Sequence, residues 1–360
     1  MQSVLFMGRQ SAASGVPGRS QRKHSQPHER CVRSWDFIVP EADSYRRVAS
    51  LLRLAEKRRF SNPPEWPRRT GLRGFLRWQF GGRPPRRPRD FVPPRVANTG
   101  AELRARRDEP SVTWIGHATL LVQAGGVAVL TDPIYSDRIG GFVKRLSPPG
   151  LARRDLPPLD AVVISHNHRD HLDEPSVRAF GPSQQFVVPM GLGEWFRKRG
   201  LERVIELEWW QETELPRGGR VTLVPAQHWS QRTLNDFNET LWGGYVIDAG
   251  GARFFFAGDT GYPAAFADIG KRLPNIDFAL LPIGAYEPRW FMGPQHLSPE
   301  DAAQAFRDLG AKWLVPMHWA TFALTDEPLD EPPRLLRAAM GNDVDKIIPL
   351  AIGETHWARR

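Results

Sequence analysis

Residues 165–173 read Ser-His-Asn-His-Arg-Asp-His-Leu-Asp, so three imidazoles and a carboxylate (His166, His168, Asp170 and His171) fall within six positions. They follow the apolar run Ala161-Val162-Val163-Ile164 directly. A buried strand that ends in such a cluster holds nitrogen and oxygen donors on a rigid edge, which is what a divalent cation requires. In an extended segment side chains alternate with period two, so His166 and His168 point the same way. Asp170 and His171 come where the chain turns and reach a second point nearby. The spacing predicts a site for two metals.

One loop does not supply enough donors for two ions, and three further candidates close apolar runs elsewhere. His228 ends Val221–His228, Asp259 ends Arg253–Asp259, and His318 ends Trp313–His318. Each alone reads as a polar residue capping a strand. Together with the cluster they complete five His and two Asp, a sufficient set for two cations. Imidazole with carboxylate and no thiolate suits zinc, with iron or manganese as alternatives. A water shared by two such ions loses a proton near neutral pH and becomes a nucleophile, while the ions stabilise charge on the attacked group. Hydrolysis is therefore the expected chemistry. Asp132, in Leu130-Thr131-Asp132-Pro133, reads two ways. It can accept a hydrogen bond from a ligand imidazole, or it can be a turn residue before proline.

The elements that would carry these residues follow from pattern. Val112–Val122 and Val127–Thr131 read as a hairpin across Ala124-Gly125-Gly126. Later strands are expected to end at Ser165, Val188, His228, Asp248, Ala257, Pro282 and Met317, and helices to lie near 192–199, 299–309 and 331–340. The second helix is punctuated: Ser298 as N-cap, Pro299 at the first position, Asp301 closing a capping box and Gly310 after the end. Mixed strands with interspersed helices suggest two sheets between outer helices.

The 360 residues allow one large domain or two small ones. No run approaches the roughly 20 apolar residues of a membrane span. Cys31 is the single cysteine, so an internal disulfide is excluded and a cytoplasmic, reducing home is expected. The net charge is +9, but residues 1–110 hold 24 Lys+Arg against 10 Asp+Glu. That asymmetry suits an anionic partner, or none. Residues 1–40 predict a disordered basic tail. Residues 41–110 predict a helix over 44–60 followed by a Pro- and Arg-rich extended wrap with an apolar island at Phe75, Leu76, Trp78 and Phe80. The helix pattern is basic and amphipathic; it can lie on anionic lipid or pack on the core with its charges solvated. Residues 111–355 would form the catalytic domain.

The ligand motifs and their order resemble those of the metallo-β-lactamase superfamily. That resemblance implies an αββα sandwich, two mixed β-sheets flanked by helices. It also implies that His166, His168 and His228 hold one metal, that Asp170, His171 and His318 hold the other, and that Asp259 bridges both. Further segments resemble one family within it, the N-acyl-phosphatidylethanolamine-hydrolysing phospholipases D. They are Trp114–Thr119, Leu130–Ile134, Ile164–Asp173, Gln227–Trp229, Phe254–Tyr262, Pro282–Met292, Gln295-His296 and His318–Leu324. The resemblance implies a zinc phosphodiesterase with two Zn2+ per chain. It would convert N-acyl-phosphatidylethanolamine to N-acylethanolamine and phosphatidic acid by attack of a hydroxide bridging the two ions. It also implies catalytic roles for Asp170 and Asp259, peripheral association with an anionic membrane, and a homodimer. Nucleic acid is not an expected partner, since no recognition module is appended. A nucleic-acid or cyclic phosphodiester, or a lactone, is the alternative substrate.

By the same resemblance His296 and Tyr286 line the substrate cleft, with His296 contacting phosphate or acting as an acid; otherwise His296 is a polar residue before a helix cap. Trp229, Trp290, Phe291 and Met292 line an acyl groove or belong to the core. His117, which follows a glycine between strands, reads as structural.

Overall fold

A computed structural model describes residues 58–81, 91–263 and 265–358. The tail 1–40, Cys31 and nearly all of the helix read at 44–60 lie outside the described residues.

The first sheet has seven strands in the order β15-β1-β2-β3-β6-β7-β8. These are β1 Ser111–Gly116, β2 Thr119–Ala124, β3 Val127–Thr131, β6 Ala161–Val163, β7 Phe186–Pro189, β8 Val204–Leu207 and β15 Thr355–Trp357. A small ribbon, β4 Arg138–Ile139 with β5 Val143–Lys144, stands apart. The second sheet has six strands in the order β14-β13-β12-β11-β10-β9. These are β9 Glu212–Glu214, β10 Arg220–Val224, β11 Gly244–Ala249, β12 Ala252–Phe256, β13 Phe278–Pro282 and β14 Trp313–Met317. Each sheet joins antiparallel hairpins to a parallel half.

Side-chain alternation divides each inner strand between two layers. Val112, Trp114, Ala161 and Val163 face the second sheet, among Val221, Leu223, Phe254 and Phe256. Ile115, Val162 and Ile164 face outward, into a second core with Val177 and Phe196. Those two belong to the short helices α3 (Glu174–Arg178) and α4 (Gly193–Arg197), which cover that face. The earlier helices are α1 (Gly71–Phe80) and α2 (Ala101–Ala105). The later ones are α5 (Ala265–Arg272), α6 (Arg289–Met292), α7 (Pro299–Leu309) and α8 (Glu331–Met340). Phe266, Ile269, Ala302, Phe306 and Leu336 carry α5, α7 and α8 into the main core. The result is the two mixed sheets flanked by helices that the pattern implied. The capping box of α7 forms as read: Ser298 Oγ accepts from the Asp301 N–H at 3.2 Å, and Asp301 Oδ2 accepts from the Ser298 N–H at 3.1 Å.

Two expectations change. The stretch read as one strand, Val112–Val122, is two strands, because the chain reverses at His117-Ala118 with His117 at φ +53°. Gly116-His117 interrupts the apolar run at that point, a turn signal that reading the stretch as one strand passes over. Residues 61–110 are not simply extended. Leu72, Phe75 and Leu76 recur at helical spacing and form α1, while Asn98 donates to the Gly353 carbonyl and ties the following stretch to the domain.

Candidate metal centre

The donors sit beyond the C-terminal ends of β6 in the first sheet and of β10, β12 and β14, which run the same way, in the second. The strands stop short of them: β6 ends at Val163, β10 at Val224 and β12 at Phe256. The donors therefore ride on tight connections rather than on the strands themselves. Gly258 turns β12 into Asp259 at φ +60°, where a Cβ would lie 2.6 Å from that of Ser165, so glycine is required. Gly284 passes so close to the second sheet's edge that a Cβ would stand 2.2 Å from the His318 carbonyl oxygen.

The seven predicted donors converge in two groups. His166 Nε2 and His228 Nε2 stand 2.8 and 3.2 Å from His168 Nδ1. In the second group His171 Nε2 lies 3.1 Å from His318 Nε2 and 3.0 Å from Asp259 Oδ2. His318 Nε2 is 3.1 Å from Asp259 Oδ1, and Asp170 Oδ2 is 3.6 and 3.7 Å from the two imidazoles. Asp259 Oδ2 is also 4.0 Å from both His166 and His228, so this carboxylate stands between the groups. Ligands at about 2.0–2.1 Å from a tetrahedral ion are roughly 3.3 Å from one another. The observed separations scatter around that value.

Hydrogen bonds behind the donors fix which nitrogen faces inward. His228 Nδ1 donates to the Gln295 carbonyl at 2.9 Å, leaving a lone pair on Nε2. His171 Nδ1 donates to Asp132 Oδ2 at 2.7 Å, with the same result. Asp132 Oδ1 accepts the Ser165 N–H at 2.7 Å, and its Oδ2 accepts the Ser165 hydroxyl at 2.5 Å. That hydroxyl proton is thereby committed. The Ser165 oxygen can only accept from His166 Nδ1, 2.9 Å away, so His166 also turns a lone pair inward. Asp132, at φ +31°, thus orients one imidazole in each group, the first of its two sequence readings.

The donor set fits a pair of cations. Inward lone pairs from His166 and His228 both converge on His168 Nδ1, which lacks the protons to bond them both. Asp259 Oδ1 and His296 Nδ1 are buried without hydrogen-bond partners. Burial pulls His166 and His228 well below the usual imidazole range and His168 to about 4. Burial would depress His171 too, but Asp259 and Asp170 outweigh it and hold its proton well above the ordinary value. The same balance puts His318 at about 9. Burial opposes ionisation of Asp170 and Asp259, yet the imidazoles, His171 foremost, keep both carboxyls well below the carboxylate range. Two carboxylates that hold protons on their neighbours so firmly would hold cations in the same place.

A cleft of about 560 Å3 opens over the donors. His168, Asp170, Asp259 and His296 form its floor, with Trp229, Phe291, Met292, Leu72, Phe75, Trp78 and Leu324 along the walls. Two sequence-predicted contacts lie elsewhere. Tyr286 is buried and donates its hydroxyl to Glu331 at 2.8 Å, away from the cleft. Trp290 is exposed on the outside of α6, with Arg77 over its ring, because the adjacent Phe291 and Met292 take the inward face. His117, read as structural, belongs to the second donor group: its Nε2 is 3.4 Å from Asp170 Oδ2, and its ring centroid is 3.9 Å from that of His318. Its place at the end of β1, like the other donors at strand ends, was the available signal. The contribution of α1 had no signal of this kind, since nothing in residues 71–80 marks them as facing His296.

Fold and site together define a metal-dependent hydrolase of the metallo-β-lactamase superfamily. The family described as Beta-lactamase superfamily domain matches residues 128–319. A metallo hydrolase from the archaeon Ignicoccus hospitalis shares the fold, with a TM-score of 0.55 at 22% identity over 70% of this chain and 99% of that one. Among sequences, N-acyl-phosphatidylethanolamine-hydrolyzing phospholipase D 1 of Caenorhabditis elegans is 39% identical over 63% of this chain and 69% of its own. The mitochondrial N-acyl-phosphatidylethanolamine-hydrolyzing phospholipase D of Saccharomyces cerevisiae is 33% identical, over 68% of this chain and 55% of its own. The chain belongs to the N-acyl-phosphatidylethanolamine-hydrolysing phospholipase D family.

Proposed function

We propose that the protein is a two-metal phosphodiesterase, most simply a dizinc one, that hydrolyses N-acyl-phosphatidylethanolamine to N-acylethanolamine and phosphatidic acid. The observation that carries this reading is the cleft itself: a floor of metal donors beneath walls of Leu72, Phe75, Trp78, Phe291, Met292 and Leu324. A polar reacting centre under an apolar trough suits a phosphodiester that brings acyl chains with it.

His166, His168 and His228 would hold one cation and Asp170, His171 and His318 the other, with Asp259 between them. Such a pair supplies an acidified water and positive charge for the phosphoryl oxygens. Asp132 and Ser165 hold the outer nitrogens of His171 and His166, and the Gln295 carbonyl that of His228, so each ring turns its other nitrogen toward the place a cation would take. His296 Nδ1, 3.8 Å from Asp259 Oδ2 and free of other partners, faces the same space. It is placed to contact a phosphoryl oxygen; burial lowers its pKa to about 4, which disfavours the alternative role of acid to the leaving alcohol. The apolar walls favour a lipid over the nucleic-acid and lactone alternatives.

Membrane contact falls to α1 in this reading. Leu72, Phe75, Leu76 and Phe80 are exposed on a helix that also carries Arg73 and Arg77, and part of that helix lines the cleft. An exposed apolar face with flanking cations suits an anionic bilayer surface. The experiment is direct: zinc-loaded protein is incubated with N-acyl-phosphatidylethanolamine vesicles and the lipids are resolved by mass spectrometry. N-acylethanolamine is the expected product, and its absence from fully loaded protein removes the substrate assignment.

A further inference from the structure

The outer part of the cleft carries two cations that no acid of the described residues answers. Arg69 lies over the Trp229 ring at 4.3 Å and over the Phe237 ring at 4.4 Å. Arg169 leaves one hydrogen bond to the Arg232 carbonyl, at 3.2 Å. Both line the cleft, and among the described residues neither forms a salt bridge. The lining carboxylates are Asp170 and Asp259, both turned to the metal donors on the floor. Arg69 is solvent-exposed except where the two rings cover it, and that partial desolvation lowers its pKa.

Position adds to charge. The Trp229 ring packs edge-on against His168, at 4.3 Å between centroids, so Arg69 stands one indole away from a metal donor. A headgroup ammonium normally seeks an aromatic face. Here the indole face that could serve is already covered by a guanidinium.

We infer that Arg69, supported by Arg169, is a specificity-determining residue that admits phosphodiesters of net negative charge and turns away headgroups bearing a free or quaternary ammonium. The inference rests on the phosphodiester reading above. N-acylation removes the ammonium of an ethanolamine headgroup and leaves one negative charge on the phosphate, so the amide passes where the parent amine is repelled. Discrimination of this kind combines attraction of the right charge with repulsion of the wrong one.

The test measures binding and turnover separately on the full zinc-loaded chain. Calorimetric titration with dihexanoyl phosphatidylglycerol, an anion, is set beside dihexanoyl phosphatidylcholine, a zwitterion. Wild type is expected to prefer the anion by about tenfold, Arg69→Gln to lose most of that ratio, and Arg69→Lys to keep part of it. Arg169→Gln should erode the ratio by a smaller factor and provides the readout if Arg69→Gln melts early. An unchanged ratio in both Gln variants, or no preference in wild type, overturns the inference. Wild type that cleaves N-acyl-phosphatidylethanolamine and phosphatidylethanolamine equally also overturns it and spares the substrate assignment. Wild type that prefers the anion but releases no N-acylethanolamine does the reverse.

Discussion

At the scale of single residues the centre depends on two carboxylates with different tasks. Asp132 touches no space a substrate could reach; it is fully buried and bonds His171 and Ser165. Burial pushes its carboxyl up, opposed by the bonds from His171 and Ser165, so those bonds are what keep it an acceptor. Asp132→Asn swaps an oxygen for an NH2 that must face the His171 N–H or the Ser165 hydroxyl. Loss of such an outer partner costs about 10–100-fold in metal affinity or activity. The variant should show that loss in zinc titration, with turnover restored by excess zinc more fully than in a ligand variant. Asp259 stands between the donor groups. Asp259→Asn keeps the volume and removes the charge, so turnover should vanish while the circular dichroism spectrum stays that of wild type. Unchanged turnover would sink the bridging role.

At the scale of elements, a feature was legible where one strand or one cap determined it. The donors His228, Asp259 and His318 follow apolar runs, and the Ser298–Asp301 box announces α7. The reversal at His117 had only a short signal, the Gly116-His117 pair between two strands that are buried throughout. The edge strands β8, β9 and β15 were invisible for the opposite reason: each is only three or four residues long, β9 has no apolar residue at all, and β15 owes its pairing to β1 at the far end of the domain. The helix α1 is the sharpest case. Of its five large apolar side chains only Trp78 packs inward, stacked on Phe291, while Leu72, Phe75, Leu76 and Phe80 are exposed, so little core demanded it, and its place at the cleft is a tertiary fact. In the proposed reading that exposed face is what meets the bilayer. Leu76→Ser with Phe80→Ser should therefore leave the melting temperature within a degree or two, since neither side chain is buried. Each exposed Leu or Phe that enters lipid gains about 1.5–3 kcal/mol. The double variant should accordingly lose at least about tenfold in sedimentation with anionic vesicles. Equal sedimentation would move the docking surface away from α1.

At the scale of the molecule, the donors tie the two sheets together. His166, His168 and His171 come from the first sheet's connections, and His228, Asp259 and His318 from the second's. Cations shared across that seam bind the folded chain and not the unfolded one. At 1,000-fold saturation a ligand adds about 4 kcal/mol, so chelation should lower the melting temperature by roughly 10 °C. The chelated protein should also acquire a pH dependence that the loaded protein lacks. With no cation, His318 holds its proton to about 9, against an ordinary value of 6.5. Between those values the folded chain binds a proton that the unfolded chain has released, so stability falls as pH rises through the window. Below 6.5 the sign reverses. Burial holds His168 and His296 at about 4, so the unfolded chain takes up protons first and stability falls as pH drops. Melting curves of chelated protein should therefore peak near pH 6.5 and decline on both sides. In the loaded protein the His318 proton is displaced in advance, and the decline between 6.5 and 9 should disappear. The same alkaline slope with and without chelator would show that no cation occupies the seam.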